Sequence, residues 1–163
     1  MEKKIKIYLA SLNHNYACNG PFTHPINLGY LASYANKFFQ KPEILDIRLF
    51  VNPNEILDEI KNDPPDILGL ANYSWNANLN TEILKYVKKN YPKTITLFGG
   101  PNFNNYNLDK YFLERPYLDY YIVNQGETGF LEIIKNYLFY SRKQLIKYKK
   151  IMPRSGFEPE SYG

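Results

Sequence analysis

The chain has 163 residues, 44% of them apolar and 22% charged, with a formal net charge of +4. That is the length of one domain with enough apolar material for a core, which excludes a disordered or low-complexity chain. Cys18 is the single cysteine, which excludes an intrachain disulfide and any multi-cysteine metal or iron–sulfur site.

The opening MEKKIKIYLASL has charge followed by an apolar run, but the run is short and lacks a small-residue cleavage pattern. It reads as a first strand, Ile5 to Leu12, rather than a signal peptide. From Pro25 the spacing predicts a helix with Leu28, Leu31, Ala32, Ala35, Phe38 and Phe39 on one face. Ile44 to Phe50 is a second strand. Asn54 to Lys61 is a short helix, opened by Pro53 and stopped by Pro64 and Pro65. Asp66 to Ala71 (DILGLA) is a third strand, apolar nearly throughout, as a strand covered on both faces should be.

Asn78 to Tyr91 predicts a helix burying Leu79, Ile83, Leu84 and Val87. Thr94 to Phe98 is a fourth strand ending in Gly99-Gly100-Pro101, followed by a weaker helix near Leu108 to Leu113. Tyr120 to Val123 is a fifth strand, and Gly126-Glu127 opens a last helix carrying Phe130, Ile133, Ile134, Tyr137 and Leu138. Lys143 to Lys150 (KQLIKYKK) is a basic run that reads as a solvated helix end or linker, since no nucleic-acid signature accompanies it. The stretch from Ile151 has no periodicity. The expected organisation is a domain over 1–140, then a basic helix end and irregular tail over 141–163 that reads as a linker or an aberrant, truncated C-terminus. No apolar stretch approaches the roughly 20 residues of a membrane span, so no membrane partner is expected and the expected location is the cytoplasm.

Strands alternating with helices imply βαβ units and a parallel sheet covered on both faces. Five strands predict a three-layer, flavodoxin-like (Rossmann-like) α/β fold with strand order 2-1-3-4-5. Ligands of such folds sit beyond the carboxyl ends of the strands. The loops after strands one, three, four and five are therefore the informative ones.

The first loop, SLNHNYACNGPFTHP, holds His14, Cys18 and His24. With one cysteine and no nearby carboxylate pair, the histidines read better as exposed or capping residues than as metal ligands. The loop has no G-x-G-x-x-G, which argues against a dinucleotide site. It also lacks the Ser/Thr-Gly-Thr cluster of a flavin phosphate loop. Ser11, Leu12, Asn13, Ala71 and Asn72 stand where a phospho-receiver needs acids.

After strand three, Tyr73-Ser74-Trp75-Asn76 places flat aromatic surface beside small polar groups, which suits a large planar ligand carrying amides. Trp75 packing on the next helix, with Asn76 or Asn78 as cap, accounts for the same residues. Gly99-Gly100-Pro101 lets backbone approach a ligand closely. Gly126-Glu127 presents a helix N-terminus, where a bland cap explains the glutamate as well as a catalytic acid does. No nucleophile–base pair stands at the strand ends, so an independent hydrolase or transferase is not expected.

In order, PINLGYLASYANKFF, PDILGLANYSWN, TITLFGGPNF and DYYIVNQGETGFLEII resemble four segments of one family: the N-terminal cobalamin (B12)-binding domain of B12-dependent radical SAM proteins. The first is similar to that domain's first helix, with its Pro-x-x-Leu-Gly-x-x-x-Leu-Ala pattern. The others are similar to its third, fourth and fifth strands with their following turns. The match covers about residues 5 to 140.

The resemblance implies cobalamin bound at the carboxyl edge, lined by Tyr73, Ser74, Trp75, Asn76, Gly99, Gly100, Pro101, Gly126 and Glu127, with Leu28 and Gly29 completing the wall. It further implies a radical SAM domain following in the same chain as partner, and a methyltransferase or other radical modification as the parent's reaction. Two departures matter. The Asp-x-His-x-x-Gly motif that gives a histidine to cobalt is absent. The Cys-x-x-x-Cys-x-x-Cys of the iron–sulfur cluster is absent too, so these residues are not expected to be catalytic alone. The competing expectation is a degenerate flavodoxin-like scaffold without cofactor, used for protein–protein contacts.

Overall fold

The structure, a computed structural model, describes residues 4–13, 25–39, 44–103, 107–139 and 151–152. His14, Cys18, His24 and the basic run 143–150 lie outside the described residues. In chain order the elements are β1 (Ile5–Ala10), α1 (Ile26–Phe39), β2 (Leu45–Phe50), α2 (Pro53–Asn62), β3 (Ile67–Ala71), α3 (Ala77–Asn90), β4 (Ile95–Gly99), α4 (Leu108–Leu113), β5 (Tyr120–Ile122), α5 (Gly126–Phe139) and β6 (Ile151–Met152).

All pairings are parallel and the order is β2-β1-β3-β4-β5-β6. The expected 2-1-3-4-5 sheet is present, with one addition. Where the sequence reads irregular tail, Ile151 and Met152 pair with Tyr121 and Ile122. The cause is physical: the outer edge of β5 offers a row of unpaired backbone groups that an extended segment can satisfy.

Side chains alternate across the sheet and build two cores. Ile7, Leu9, Ile67, Ala71, Ile95, Leu97 and Ile122 meet Leu28 and Ala35 of α1 and Phe130, Ile133 and Ile134 of α5. Tyr8, Ala10, Leu68, Leu70, Phe98 and Tyr121 meet Ile56 and Ile60 of α2, Ile83, Leu84 and Val87 of α3, and Tyr111 and Phe112 of α4. Every residue of β3 is buried, the condition its unbroken apolar run anticipates. At the open edge, β2 carries charge instead: Arg48 pairs with Asp46 at 2.9 Å and also with Glu59 of α2. Charges on an edge strand deter pairing with another chain.

Local signals end the helices where expected. Asn52 caps α2, its side-chain oxygen accepting from the Asn54 amide at 2.9 Å, and Pro53 occupies the first turn, where a missing N–H costs nothing. One helix face differs from expectation. Phe38 of α1 is 51% exposed and lies under the Lys135 ammonium, 4.5 Å from its ring centre. It falls on the row Ile26, Tyr30, Tyr34 and Phe38, spaced by four and turned outward, while Leu28 and Ala35 turn inward.

Candidate functional site

The loop after β3 is held from beneath by a buried amide. Asn76 is fully buried, and its Nδ2 donates to the Leu12 carbonyl at 3.1 Å and the Ala71 carbonyl at 3.0 Å. Its Oδ1 accepts from the Tyr73 amide at 2.9 Å and from Asn80 Nδ2 at 3.1 Å. Every polar atom of the side chain is used, so Asn76 positions the loop and has none left for a ligand. It stands at the N-cap position of α3 without making a side-chain cap hydrogen bond.

The residues it lifts point outward. Trp75 is 60% exposed and stacks on Tyr73, ring centres 4.4 Å apart and 6° from parallel. The Tyr73 hydroxyl accepts from Asn27 Nδ2 of α1 at 3.5 Å.

The glycine turn after β4 is sewn to the same loop. The Asn72 amide donates to the Gly99 carbonyl at 2.6 Å, the Asn102 amide donates to the Asn72 carbonyl at 3.3 Å, and Asn72 Nδ2 donates to the Asn102 carbonyl at 3.3 Å. Gly100 has φ +115°, and a Cβ there would fall 2.8 Å from the Asn72 carbonyl oxygen. Only glycine fits that position. From the opposite core the Tyr121 hydroxyl donates to the Gly100 carbonyl at 3.0 Å, and burial pushes that phenol well above its ordinary range. After β5 the chain turns through Asn124 at φ 65°, a conformation asparagine tolerates. Gly126 lets α1 approach, since a Cβ there would sit 3.0 Å from Leu31 Cδ2.

Between these loops and α1 lies a cavity of about 310 Å³. Strand register arranges its floor in two rows. The deep row is Leu9, Gly69 and Leu97, which are direct neighbours across β1, β3 and β4. The outer row is Ala71, Gly99 and Ile122, neighbours across β3, β4 and β5. Gly69 matters most: a Cβ there would come 2.8 Å from Leu9 Cδ2 and 3.0 Å from Leu97 Cδ1. Leu28 and Leu31 form the α1 wall, and Asn27, Tyr30, Tyr73, Asn124, Gln125 and Glu127 surround the mouth.

Among the lining residues Glu127 is the one charged group. No cluster of three or more potential metal-ligating side chains occurs among the described residues. The lining combines an apolar floor with polar groups, the composition of a small-molecule binding site.

Six of the eleven predicted positions line this cavity: Leu28, Tyr73, Gly99, Gly100, Gly126 and Glu127. Trp75 joins them only through Tyr73, and Ser74 and Pro101 are exposed beside the mouth without lining it. Gly29 lies on α1 off the cavity, with nothing within 4 Å of a Cβ built there. Asn76 is corrected from a contact residue to an interior brace. Sequence reasoning missed the floor, Leu9, Gly69 and Leu97, and the mouth residue Asn27, while Asn124 and Gln125 stand in the polar turn it expected at the ligand edge after strand five. For Gly69 a signal existed, because a glycine inside an apolar strand marks a close approach.

The B12 binding domain family model matches residues 15–134. The chain is 30% identical over 137 residues to the cobalamin-dependent radical SAM methyltransferase TokK of Streptomyces tokunonensis, covering 79% of this chain and 18% of that protein. It is 29% identical over 134 residues to the 2-(S-pantetheinyl)-carbapenam-3-carboxylate methyltransferase of Streptantibioticus cattleyicolor, again 79% of this chain and 18% of that protein. This chain thus spans less than a fifth of those relatives. Among solved structures, a cobalamin-binding protein from Desulfitobacterium hafniense shares the fold with a TM-score of 0.59 at 17% identity, over 83% of this chain and 60% of that one. A receiver domain from Pseudomonas fluorescens shares it equally, with a TM-score of 0.59 at 12% identity, over 83% of this chain and 95% of that one.

Proposed function

The chain belongs to the B12-binding domain family, and from that premise we propose that it seats cobalamin across the carboxyl edge of its sheet, as the cofactor-holding part of a radical SAM methyltransferase system. The observation that carries this reading is the two-rowed floor. Ala71 and Gly99 keep the outer row low and leave a slot there, while over Gly69 the side chains of Leu9 and Leu97 close together to form its apolar floor.

A volume of about 310 Å³ is near the small end of ligand sites. It is too small for a corrin ring with its amide arms and of suitable size for the planar base of the nucleotide tail. The corrin then lies over the mouth. There Tyr73, Asn124, Gln125 and Glu127 offer donors and acceptors to amides, and Gly99-Gly100 admits an edge against backbone. Ser74, Trp75 and Pro101 border the same mouth. When bound, cobalamin supplies a cobalt centre able to carry a methyl group.

The residues of this chain bind and orient it, and the apolar slot excludes water from the tail. No step of radical chemistry is assigned to them, and the cluster-bearing radical SAM part is the partner this reading requires. No described helix is long and apolar enough to cross a membrane; work in the cytoplasm is part of the proposal.

A protein-contact role has one observation in its favour, the outward row Ile26, Tyr30, Tyr34 and Phe38 on α1, of which Ile26 and Tyr30 are 65% and 63% exposed. It stands beside the first reading as the face a partner domain would cover. Titrating the purified chain with hydroxocobalamin tests the first reading. The expected result is saturable one-to-one uptake at micromolar concentrations, with a shift in the corrin absorbance and quenching of Trp75 fluorescence. An unchanged spectrum far above micromolar cofactor overturns it.

A further inference from the structure

We propose that the cavity selects among cobamides by their lower base, favouring a benzimidazole over a purine such as adenine; this rests on the reading that the nucleotide tail enters the slot. The inner row and the α1 wall present hydrocarbon alone: Leu9 and Leu97 from the strands, closing over Gly69, and Leu28 and Leu31 from α1. Backbone cannot substitute for the missing polar side chains. The residues of the deep row lie in the paired registers of β1, β3 and β4, where amides and carbonyls are committed to the ladder. The polar groups, Asn27, Tyr73 and Glu127 among them, stand around the mouth, where they meet the sugar, phosphate and corrin arms rather than the base.

The two base classes differ in the property this slot reads. Dimethylbenzimidazole has one ring nitrogen not bonded to the sugar and carries two methyl groups on its far edge. Adenine presents an amino group and three further ring nitrogens. A buried donor or acceptor that leaves water without a partner carries the full desolvation penalty. A methyl group entering a slot walled by leucine and isoleucine gains from burial. Both effects act in the same direction. The discrimination has the asymmetric character of sites that leave polar groups unpaired with the wrong ligand.

The test is equilibrium dialysis of the purified full chain against three probes, read by corrin absorbance: hydroxocobalamin, its adenine-bearing analogue, and cobinamide, which has no nucleotide. The expected order is hydroxocobalamin tightest, the adenine analogue weaker by about tenfold or more, and cobinamide also weaker than hydroxocobalamin. Equal affinity for the two base-bearing cobamides overturns the inference while leaving the cobalamin reading in place. Cobinamide binding as tightly as hydroxocobalamin also overturns it, because the tail would then add nothing. Failure of all three to bind overturns the cobalamin reading itself, and the inference with it.

Discussion

The two faces of the sheet are made by alternate residues of the same strands, yet they are packed to different ends. Toward α2, α3 and α4 the layer is filled by rings. Phe98 meets Tyr121 edge-on at 6.2 Å, Phe103 lies 4.4 Å from Tyr121 and 5.1 Å from Tyr111, and Tyr8 sits 5.1 Å from Phe50. Toward α1 and α5 three strand residues are smaller than their neighbours on the other face: Gly69 beside Leu68, Gly99 beside Phe98 and Ile122 beside Tyr121. A period of two lets one strand satisfy both demands, a dense core behind and a hollow in front.

Three perturbations probe that division. Phe98→Ala empties the filled face at a residue 2% exposed and should cost about 3–5 kcal/mol, read from urea unfolding. A cost under about 1 kcal/mol would mean the ring layer is not the stabilising one. Gly100→Ala strikes the turn where the faces are sewn together. With φ at +115° and the Asn72 carbonyl oxygen 2.8 Å from the new Cβ, the expected loss is about 1–3 kcal/mol, seen as a lower thermal midpoint. An unchanged midpoint would show that the turn relaxes freely.

The third perturbation is pH. Burial, with the Asp119 charge adding to it, pushes the Tyr120 phenol up to about 12. Burial also raises Tyr8 and Tyr121. Folded values above the ordinary phenol value near 10 mean stability is fully present below about pH 10 and is lost as pH rises toward 12. The decline should be on the order of 1 kcal/mol per pH unit for each linked group, measured by denaturant unfolding between pH 8 and 11. A flat profile would contradict a dry interior on both faces.

Much of the fold was legible. Each of β1 to β5 announced itself as a short, largely apolar run, and Pro53, Pro64 and Pro65 punctuated α2 as its caps required. The turns Gly99-Gly100 and Gly126-Glu127 were legible because glycine at a strand end or helix start carries a local meaning. The remainder depends on contacts distant in sequence. Asn76 reads locally as a cap or a ligand contact, and becomes a brace only because Leu12 passes beneath it. Asn27 and Leu31 join the site through the line α1 takes across the sheet, which no periodicity encodes. Phe38 matched the apolar face by spacing, but the rotation of α1 puts its row outward beside Lys135. Ile151 and Met152 became a strand through the open edge of β5, a property of the sheet rather than of the dipeptide.

The central claim is that the hollow on the α1 and α5 face is where the cofactor enters. Gly69→Val tests it, because its branches must occupy the space over which Leu9 and Leu97 now close. Overpacking should lower stability by about 1–3 kcal/mol while the variant stays folded by circular dichroism. Its affinity for hydroxocobalamin should fall by about a hundredfold or more relative to the unaltered chain. A folded Gly69→Val protein that binds as tightly as the parent would place the cofactor elsewhere.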